Sequence, residues 1–226
     1  MEELNLIQKI AIMALPLILA VTLHEVAHGW VADKFGDSTA RSLGRITLNP
    51  LKHIDPVGTV LVPLGMLLLT GFMFGWAKPV PVDFRRLHNP KRDMIWVALA
   101  GPGANLLMAI IWSLLLVLAH NSVHSAQWFA LPLLGMAVIG VVANLGLMVL
   151  NLLPVPPLDG DRVMVGILPL GLARIWARLE PYGIFIVIGL LFTGILGAIL
   201  GPAIFGLVAL LPGTELVLGI LPTLLS

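Results

Sequence analysis

Residues 21–30 read VTLHEVAHGW, and this stretch decides how the rest of the chain is interpreted. His24 and His28 are four residues apart, so on a helix they lie on one face, one turn above the other. Two imidazoles placed in this way can bind one zinc ion, and Glu25 can take a proton from a water on that ion. The spacing is the H-E-x-x-H pattern typical of zinc-dependent peptide hydrolysis. It predicts His24 and His28 as metal ligands and Glu25 as catalytic base.

The composition is that of a membrane protein. Of the 226 residues, 58% are hydrophobic and only 11% are charged, whereas about 25% are charged in ordinary soluble domains. The formal net charge is +1, and no nucleic-acid partner is expected. The chain has no cysteine, so a metal site must use His, Asp or Glu. We therefore expect a lipid bilayer around the chain and a metal site without thiolates.

Long apolar runs predict several membrane spans in one integral membrane domain covering residues 1–226. A span needs about 20 apolar residues. The histidine motif falls inside the first run, where ionisable groups are costly and usually functional. The alternative is that the two histidines have no chemical role and only pack against neighbours at a helix end. The predicted spans are 6–31, 94–119, 128–153 and 182–200.

The positions of the basic residues predict the topology. Segments 33–55, 75–93 and 160–180 are rich in Lys and Arg, whereas 120–127 has neither. Because short cytoplasmic loops carry the excess of Lys and Arg, the three basic segments are expected on the cytoplasmic side. The apolar segment 57–74 is then predicted to be re-entrant, because a crossing would put two basic segments on opposite sides.

A third metal ligand is expected near the cytoplasmic end of the third span. A catalytic zinc wants three protein ligands and an open position for water. Asp159 follows a helix end broken by prolines and lies at a depth similar to that of the histidines. Asp161 is a competitor, although it stands beside Arg162. The alternative for Asp159 is ordinary turn chemistry in the sequence Leu-Asp-Gly.

Two further elements near the predicted site remain open. Asn151 lies two turns before Asp159, and its amide could stabilise an oxyanion or form only an interhelical hydrogen bond. The small residues of 101–105 favour close helix packing over chemistry. Residues 44–49 alternate in polarity and 77–82 contain two prolines, so each is predicted as a short β-strand near the active site. Such strands could pair with an extended substrate.

Three motifs together resemble the site-2 protease family of intramembrane zinc metalloproteases. They are HEVAH at 24–28, AGPGAN at 100–105 and NLLPVPPLDG at 151–160, in the order that the family shows. The chain looks like the compact form without a PDZ or CBS domain. The resemblance implies one Zn²⁺ per chain, a base, and an asparagine that faces the active centre. The residues that it implies are His24, His28 and Asp159 as zinc ligands, Glu25 as base and Asn151 as the asparagine.

The resulting expectation is an all-α polytopic membrane protein. Its core has three transmembrane helices, with an additional C-terminal span, a re-entrant segment and short β-strands near the active site. It is expected to hydrolyse transmembrane proteins or peptides in a bacterial or archaeal cell membrane, with its active site toward the cytoplasm. The alternatives are a metal-ion transporter or channel that uses the same His and Asp cluster, and a catalytically inactive substrate-binding homologue.

Overall fold

The computed structural model describes residues 6–62, 65 and 75–225. That part of the chain is mainly helical, and three long helices dominate it: Leu6–Lys34, Pro90–Asn121 and Gln127–Leu152. Short 3₁₀ turns lie at Pro50–His53, Phe84–Arg86 and Ala177–Tyr182, and a π-helical turn lies at Pro56–Leu61. The α-helices are α1 Leu6–Lys34, α2 Thr39–Ser42, α3 Pro90–Asn121, α4 Gln127–Leu152, α5 Asp159–Ile167, α6 Leu170–Trp176, α7 Gly183–Phe192, α8 Ile195–Val208 and α9 Thr214–Leu225.

The chain is a multi-pass integral membrane protein. The outward face of α3 shows why, because Leu107, Leu114 and Leu118 form an apolar stripe and are 60%, 54% and 58% exposed. Such a stripe on so long a helix suits lipid rather than water. The stretches long and apolar enough to cross a membrane are Ile10–Lys34, Pro90–Asn121, Gln127–Leu152 and Leu170–Phe192.

The fourth apolar stretch differs from the predicted span 182–200. Helix α7 ends at Phe192, and Gly194, with a φ of 75°, caps the start of the next helix at Ile195. Glycine reaches this left-handed conformation at little cost. The apolar run was visible in the sequence, but the break inside it depends on one backbone angle.

The core lies mainly between α3 and α4. Gly140 of α4 faces the indole of Trp112, and an added Cβ there would overlap the ring, so glycine allows the two helices to approach closely. Val208 of α8 and Val217 of α9 are 1% and 2% exposed and belong to the same core. Helices α8 and α9 are therefore packed against the bundle.

The prediction of short β-strands was wrong, since neither 44–49 nor 77–82 is a strand. The first segment starts at Gly44, whose φ of 62° turns the chain. The second is extended, but its two prolines have no N–H for a ladder. Its Lys78 N–H donates to the carbonyl of His53 at 2.9 Å. The sequence pattern is compatible with a strand, but the backbone donors are absent or already used.

Most of the predicted re-entrant segment 57–74 lies outside the described residues. The chain on its two sides comes together, however, because the Trp76 N–H donates to the carbonyl of Gly58 at 2.9 Å. The His88 N–H likewise donates to the carbonyl of Phe35 at 2.8 Å. These contacts hold the basic segments around 33–55 and 75–93 at one end of the bundle, and they favour the re-entrant path, which stays a prediction.

Candidate active site

Helix α1 places the two motif histidines side by side, facing the interior of the bundle. His24 and His28 are 7% and 9% exposed, and their Nε2 atoms are 3.1 Å apart. Both face α3, which packs along this side of α1. The helical spacing expected from the sequence therefore brings two nitrogen atoms to one point, buried away from solvent.

Asp159 completes this cluster from the start of α5. Its Oδ2 lies 3.2 Å from His24 Nε2 and 3.3 Å from His28 Nε2. The prolines after α4 end that helix, and Gly160 lets α5 begin directly against it. A Cβ added at Gly160 would overlap the carbonyl oxygen of Leu153. The close approach at this glycine is what brings the carboxylate to the histidines.

The hydrogen bonds at the far side of each imidazole fix where its proton sits. His28 Nδ1 lies 2.7 Å from the carbonyl oxygen of Val97, and His24 Nδ1 lies 2.6 Å from Oδ1 of Asn105. Both oxygens only accept, so each Nδ1 carries a hydrogen, and in a neutral imidazole Nε2 then offers a lone pair. Both lone pairs point toward Asp159 Oδ2.

This arrangement suits a cation. Asp159 Oδ2 is buried and has no hydrogen-bond partner among the described residues, so three acceptor atoms meet with no donor between them. Acceptors at that distance repel unless a positive charge is shared among them. A tetrahedral zinc with bonds of 2.0–2.1 Å separates its ligand atoms by roughly 3.3 Å. The observed edges of 3.1, 3.2 and 3.3 Å match this separation.

Gly101 of α3 forms the wall of the cluster. A Cβ added there would overlap His28 Nε2 and lie 2.7 Å from His24 Nε2. At Gly103, two residues further along, an added Cβ would meet nothing within 4 Å. The sequence indicated packing for this glycine-rich stretch, and at Gly101 the packing is against the Nε2 atoms of His24 and His28.

Glu25 lies beside the cluster and is held by the extended segment. Its Oε2 accepts a hydrogen bond from the Val80 N–H at 2.7 Å. The Val80 side chain packs one turn further along α1, where an added Cβ at Gly29 would lie 2.9 Å from it. The guanidinium of Arg45 donates to the carbonyl oxygen of Lys78 at 3.0 Å, which ties the segment down. One carboxylate oxygen of Glu25 is thus fixed by backbone.

Asn151 lies in the last turn of α4 and is half-buried. Its Nδ2 donates to the carbonyl oxygen of Leu147 at 3.0 Å, a bond within its own helix. This bond uses one of the two amide hydrogens and leaves the second for another acceptor. The role of Asn151 toward an oxyanion stays a prediction.

Asp161, the competing ligand, has a different partner. It is 1% exposed, and its Oδ1 accepts from Trp176 Nε1 at 2.7 Å. Burial raises the pKa of its carboxyl group above the ordinary value. The cluster of potential metal ligands in the described part of the chain contains Asp159 and not Asp161.

Sequence reasoning missed two contributors. Asn105, assigned to a packing stretch, accepts from His24, and Val80 donates to Glu25. An asparagine inside an apolar span is a polar group at a costly position, and that signal could have identified Asn105. No sequence signal could have identified Val80, because it acts through its backbone N–H.

Comparison with known proteins identifies the family that this chain resembles. The family model described as Peptidase family M50 matches residues 12–139. A Bacillus subtilis (strain 168) protein named "Putative zinc metalloprotease YwhC" is 43% identical over 187 residues, 82% of this chain and 82% of its own. A Mycolicibacterium smegmatis protein named "Putative zinc metalloprotease Rip2" is 32% identical over 177 residues, 78% of this chain and 64% of its own. No solved structure matches the chain.

The residues and the comparisons point to the same chemistry. The family model covers the histidine helix and the whole of α3, which forms the wall of the cluster. Together with the His and Asp group, it indicates zinc as the cofactor. The chain therefore belongs to peptidase family M50, the site-2 protease family of intramembrane zinc metalloproteases.

Proposed function

We propose that this chain is a zinc metalloendopeptidase that hydrolyses peptide bonds within or near transmembrane segments. In this proposal His24, His28 and Asp159 hold one zinc ion, and Glu25 is the general base. The main support for this proposal is that three acceptor atoms, from His24, His28 and Asp159, lie together with no donor between them. The carboxylate of Glu25 stands on the same helix, one residue after the first of these ligands.

The chain's own residues have separate tasks in the reaction. When bound, zinc would act as a Lewis acid that polarises a carbonyl, and it would lower the pKa of a bound water to about 7. Glu25 keeps Oε2 on the Val80 N–H, so its other oxygen accepts the proton of the attacking water and later delivers a proton to the leaving amine. The free amide hydrogen of Asn151 donates to the oxyanion that develops on the scissile carbonyl.

The substrate is proposed to be a membrane protein or peptide that is locally unwound. Helical carbonyls are hydrogen-bonded within the helix, so a transmembrane segment must open before a peptide carbonyl can be attacked. Trp30 and Trp96 are each 53% exposed, and tryptophan prefers the membrane interface. His24 is six residues from Trp30, roughly 9 Å along the helix. The site is therefore within reach of water from the proposed cytoplasmic side of a bacterial or archaeal cell membrane.

A transporter that uses the same cluster as a transit site is not favoured. Transport needs polar groups along a whole path. Beyond the site, the buried surface between α3 and α4 contains Trp112, Leu116 and Val138. The Ser113 hydroxyl in this region already donates to the carbonyl oxygen of Pro212 at 2.6 Å. A catalytically inactive binding protein is also disfavoured, because Glu25 is intact.

The proposal is tested with purified full-length protein in detergent and a synthetic transmembrane peptide. Cleavage should stop when a chelator removes the metal and should return with added zinc. The His24→Ala variant should remain inactive after the same zinc addition. Cleavage that persists unchanged without metal would contradict the proposal.

A further inference from the structure

Two buried asparagines stand behind the metal-binding cluster. Asn105 of α3 and Asn144 of α4 are both 0% exposed, in a region where the surrounding core is apolar. An amide buried in this way costs free energy unless all of its hydrogen bonds are satisfied. Their presence in the interior of a membrane bundle therefore needs an explanation.

The two amides form one chain of hydrogen bonds that ends at His24. Asn144 Nδ2 donates to the carbonyl oxygen of Gly140 at 2.8 Å, and Asn105 Nδ2 donates to Asn144 Oδ1 at 2.9 Å. Asn105 Nδ2 also lies 3.2 Å from the carbonyl oxygen of Ala20, and Asn105 Oδ1 lies 2.6 Å from His24 Nδ1. The chain thus connects three helices to one imidazole nitrogen.

The direction of this chain follows from its far end. A backbone carbonyl only accepts, so Gly140 fixes the NH₂ group of Asn144 on its side. Asn144 must then present its oxygen to Asn105, whose NH₂ group turns toward it. The Asn105 oxygen consequently faces His24, and the hydrogen of that imidazole is held at Nδ1. The Nε2 lone pair is left facing the metal-binding cluster.

The two histidines differ in how this orientation is secured. The Nδ1 of His28 lies 2.7 Å from the backbone carbonyl of Val97, which cannot reverse its polarity. The partner of His24 is a side-chain amide, and rotating it by half a turn would exchange oxygen for NH₂. His24 would then carry its hydrogen on Nε2, where it would block metal binding. Only His24 depends on the groups that orient its partner, which are Oδ1 of Asn144 at 2.9 Å and the carbonyl oxygen of Ala20 at 3.2 Å from Asn105 Nδ2.

We propose that Asn144 is a positioning residue of the metal site: through Asn105 it keeps His24 Nε2 free to bind zinc. The inference rests on the proposed role of His24 as a ligand and adds to it a residue on α4 that touches no ligand. Groups behind a metal ligand typically change metal affinity by 10- to 100-fold. Loss of Asn144 should therefore weaken zinc binding without removing any ligand.

The test measures zinc affinity of the purified full-length protein by competition with a chromophoric chelator. Asn144→Leu keeps the branched shape of the side chain but has no polar group, and it should weaken zinc binding by about tenfold or more. In ¹⁵N-histidine NMR of the metal-free protein, His24 should shift toward the form protonated at Nε2, while His28 stays as in the wild type. Ser113→Ala, the matched control, removes another buried hydrogen-bond donor and should leave both readouts unchanged.

A rescue variant separates positioning from packing. A buried, protonated aspartic acid at position 105 donates its O–H to the carbonyl oxygen of Ala20, so its other oxygen faces His24 without help from Asn144. Asn105→Asp combined with Asn144→Leu should therefore bind zinc more tightly than Asn144→Leu alone, a non-additivity that packing does not produce. If Asn144→Leu does not fold, Asn144→Ser with the same rescue is judged by the same criteria.

Two results would overturn the inference. One is wild-type zinc affinity in the folded Asn144 variant, with His24 still protonated at Nδ1. The other is a double variant no better than the single one. If the proposed metal site itself is wrong, the result is distinguishable, because His24→Ala would then retain the zinc affinity of the wild type.

Discussion

The three candidate metal-binding atoms are positioned by the groups that lie behind each residue. The Nδ1 atoms of His24 and His28 face oxygens on α3, so both histidines offer Nε2. The Oδ2 of Asp159, the third atom of the cluster, is left without a donor. The same pair of histidines on an isolated helix would rotate freely, and the site exists because α3 and α5 restrict it.

Gly101 gives a sharp test of this packing. Gly101→Ala should lower zinc content and affinity by about tenfold or more, because the added methyl group would overlap His28 Nε2. Gly103→Ala is the control on the same helix, where a Cβ meets nothing within 4 Å and alanine is the better helix former. Zinc is measured against protein concentration in the same samples. Equal zinc binding by both variants would contradict the placement of Gly101 at the site.

The two aspartates of α5 are predicted to behave differently. Asp159→Ala should lose zinc because a ligand is removed. Asp161→Ala should keep zinc but lose about 1–3 kcal/mol of stability, since Trp176 Nε1 is left without its acceptor. Metal analysis and thermal unfolding in detergent separate the two effects. Full zinc occupancy in Asp159→Ala would show that the third ligand lies elsewhere.

Among the elements around the site, the extended segment at Val80 holds Glu25 through a backbone hydrogen bond. Val80→Pro removes the backbone N–H that donates a hydrogen bond to Glu25 Oε2. Zinc content should stay unchanged, while kcat for a transmembrane peptide falls by about tenfold, as expected when a hydrogen bond to a charged group is lost. Val80→Ala keeps the N–H and loses only side-chain packing against Gly29, so it should retain most of kcat. Equal kcat for Val80→Pro and the wild type would argue against this role.

The sequence could predict long helices and the ligand spacing, but not every element between them. The first three spans were visible from hydropathy, and the i, i+4 spacing placed His24 and His28 on one face. The prediction of a strand at 77–82 was wrong because backbone N–H groups that a β-ladder needs are absent or bonded elsewhere. The role of Asn105 required knowing which helix α3 packs against, which one-dimensional periodicity does not contain.

At the scale of the whole molecule, contacts between the basic segments make the topology testable. The chain has no cysteine of its own, so single cysteines can be introduced at exposed positions. Ser38→Cys and Arg85→Cys should react with an impermeant thiol reagent only after the membrane is opened, because positive loops stay in the cytoplasm. Ser125→Cys, in the turn between α3 and α4, should react from outside. Labelling of positions 38 and 85 from opposite sides would make 57–74 a true span.

Glu25 is proposed to act as a base beside a zinc site rather than as a ligand or a structural group. Glu25→Gln keeps the size of the side chain and removes its basicity. The decisive measurement is product formation from a transmembrane peptide in liposomes by this variant and the wild type, with zinc quantified in the same samples. We expect unchanged zinc and a cleavage rate lower by at least about a hundredfold in Glu25→Gln. Cleavage at the wild-type rate with zinc still bound would contradict the mechanism.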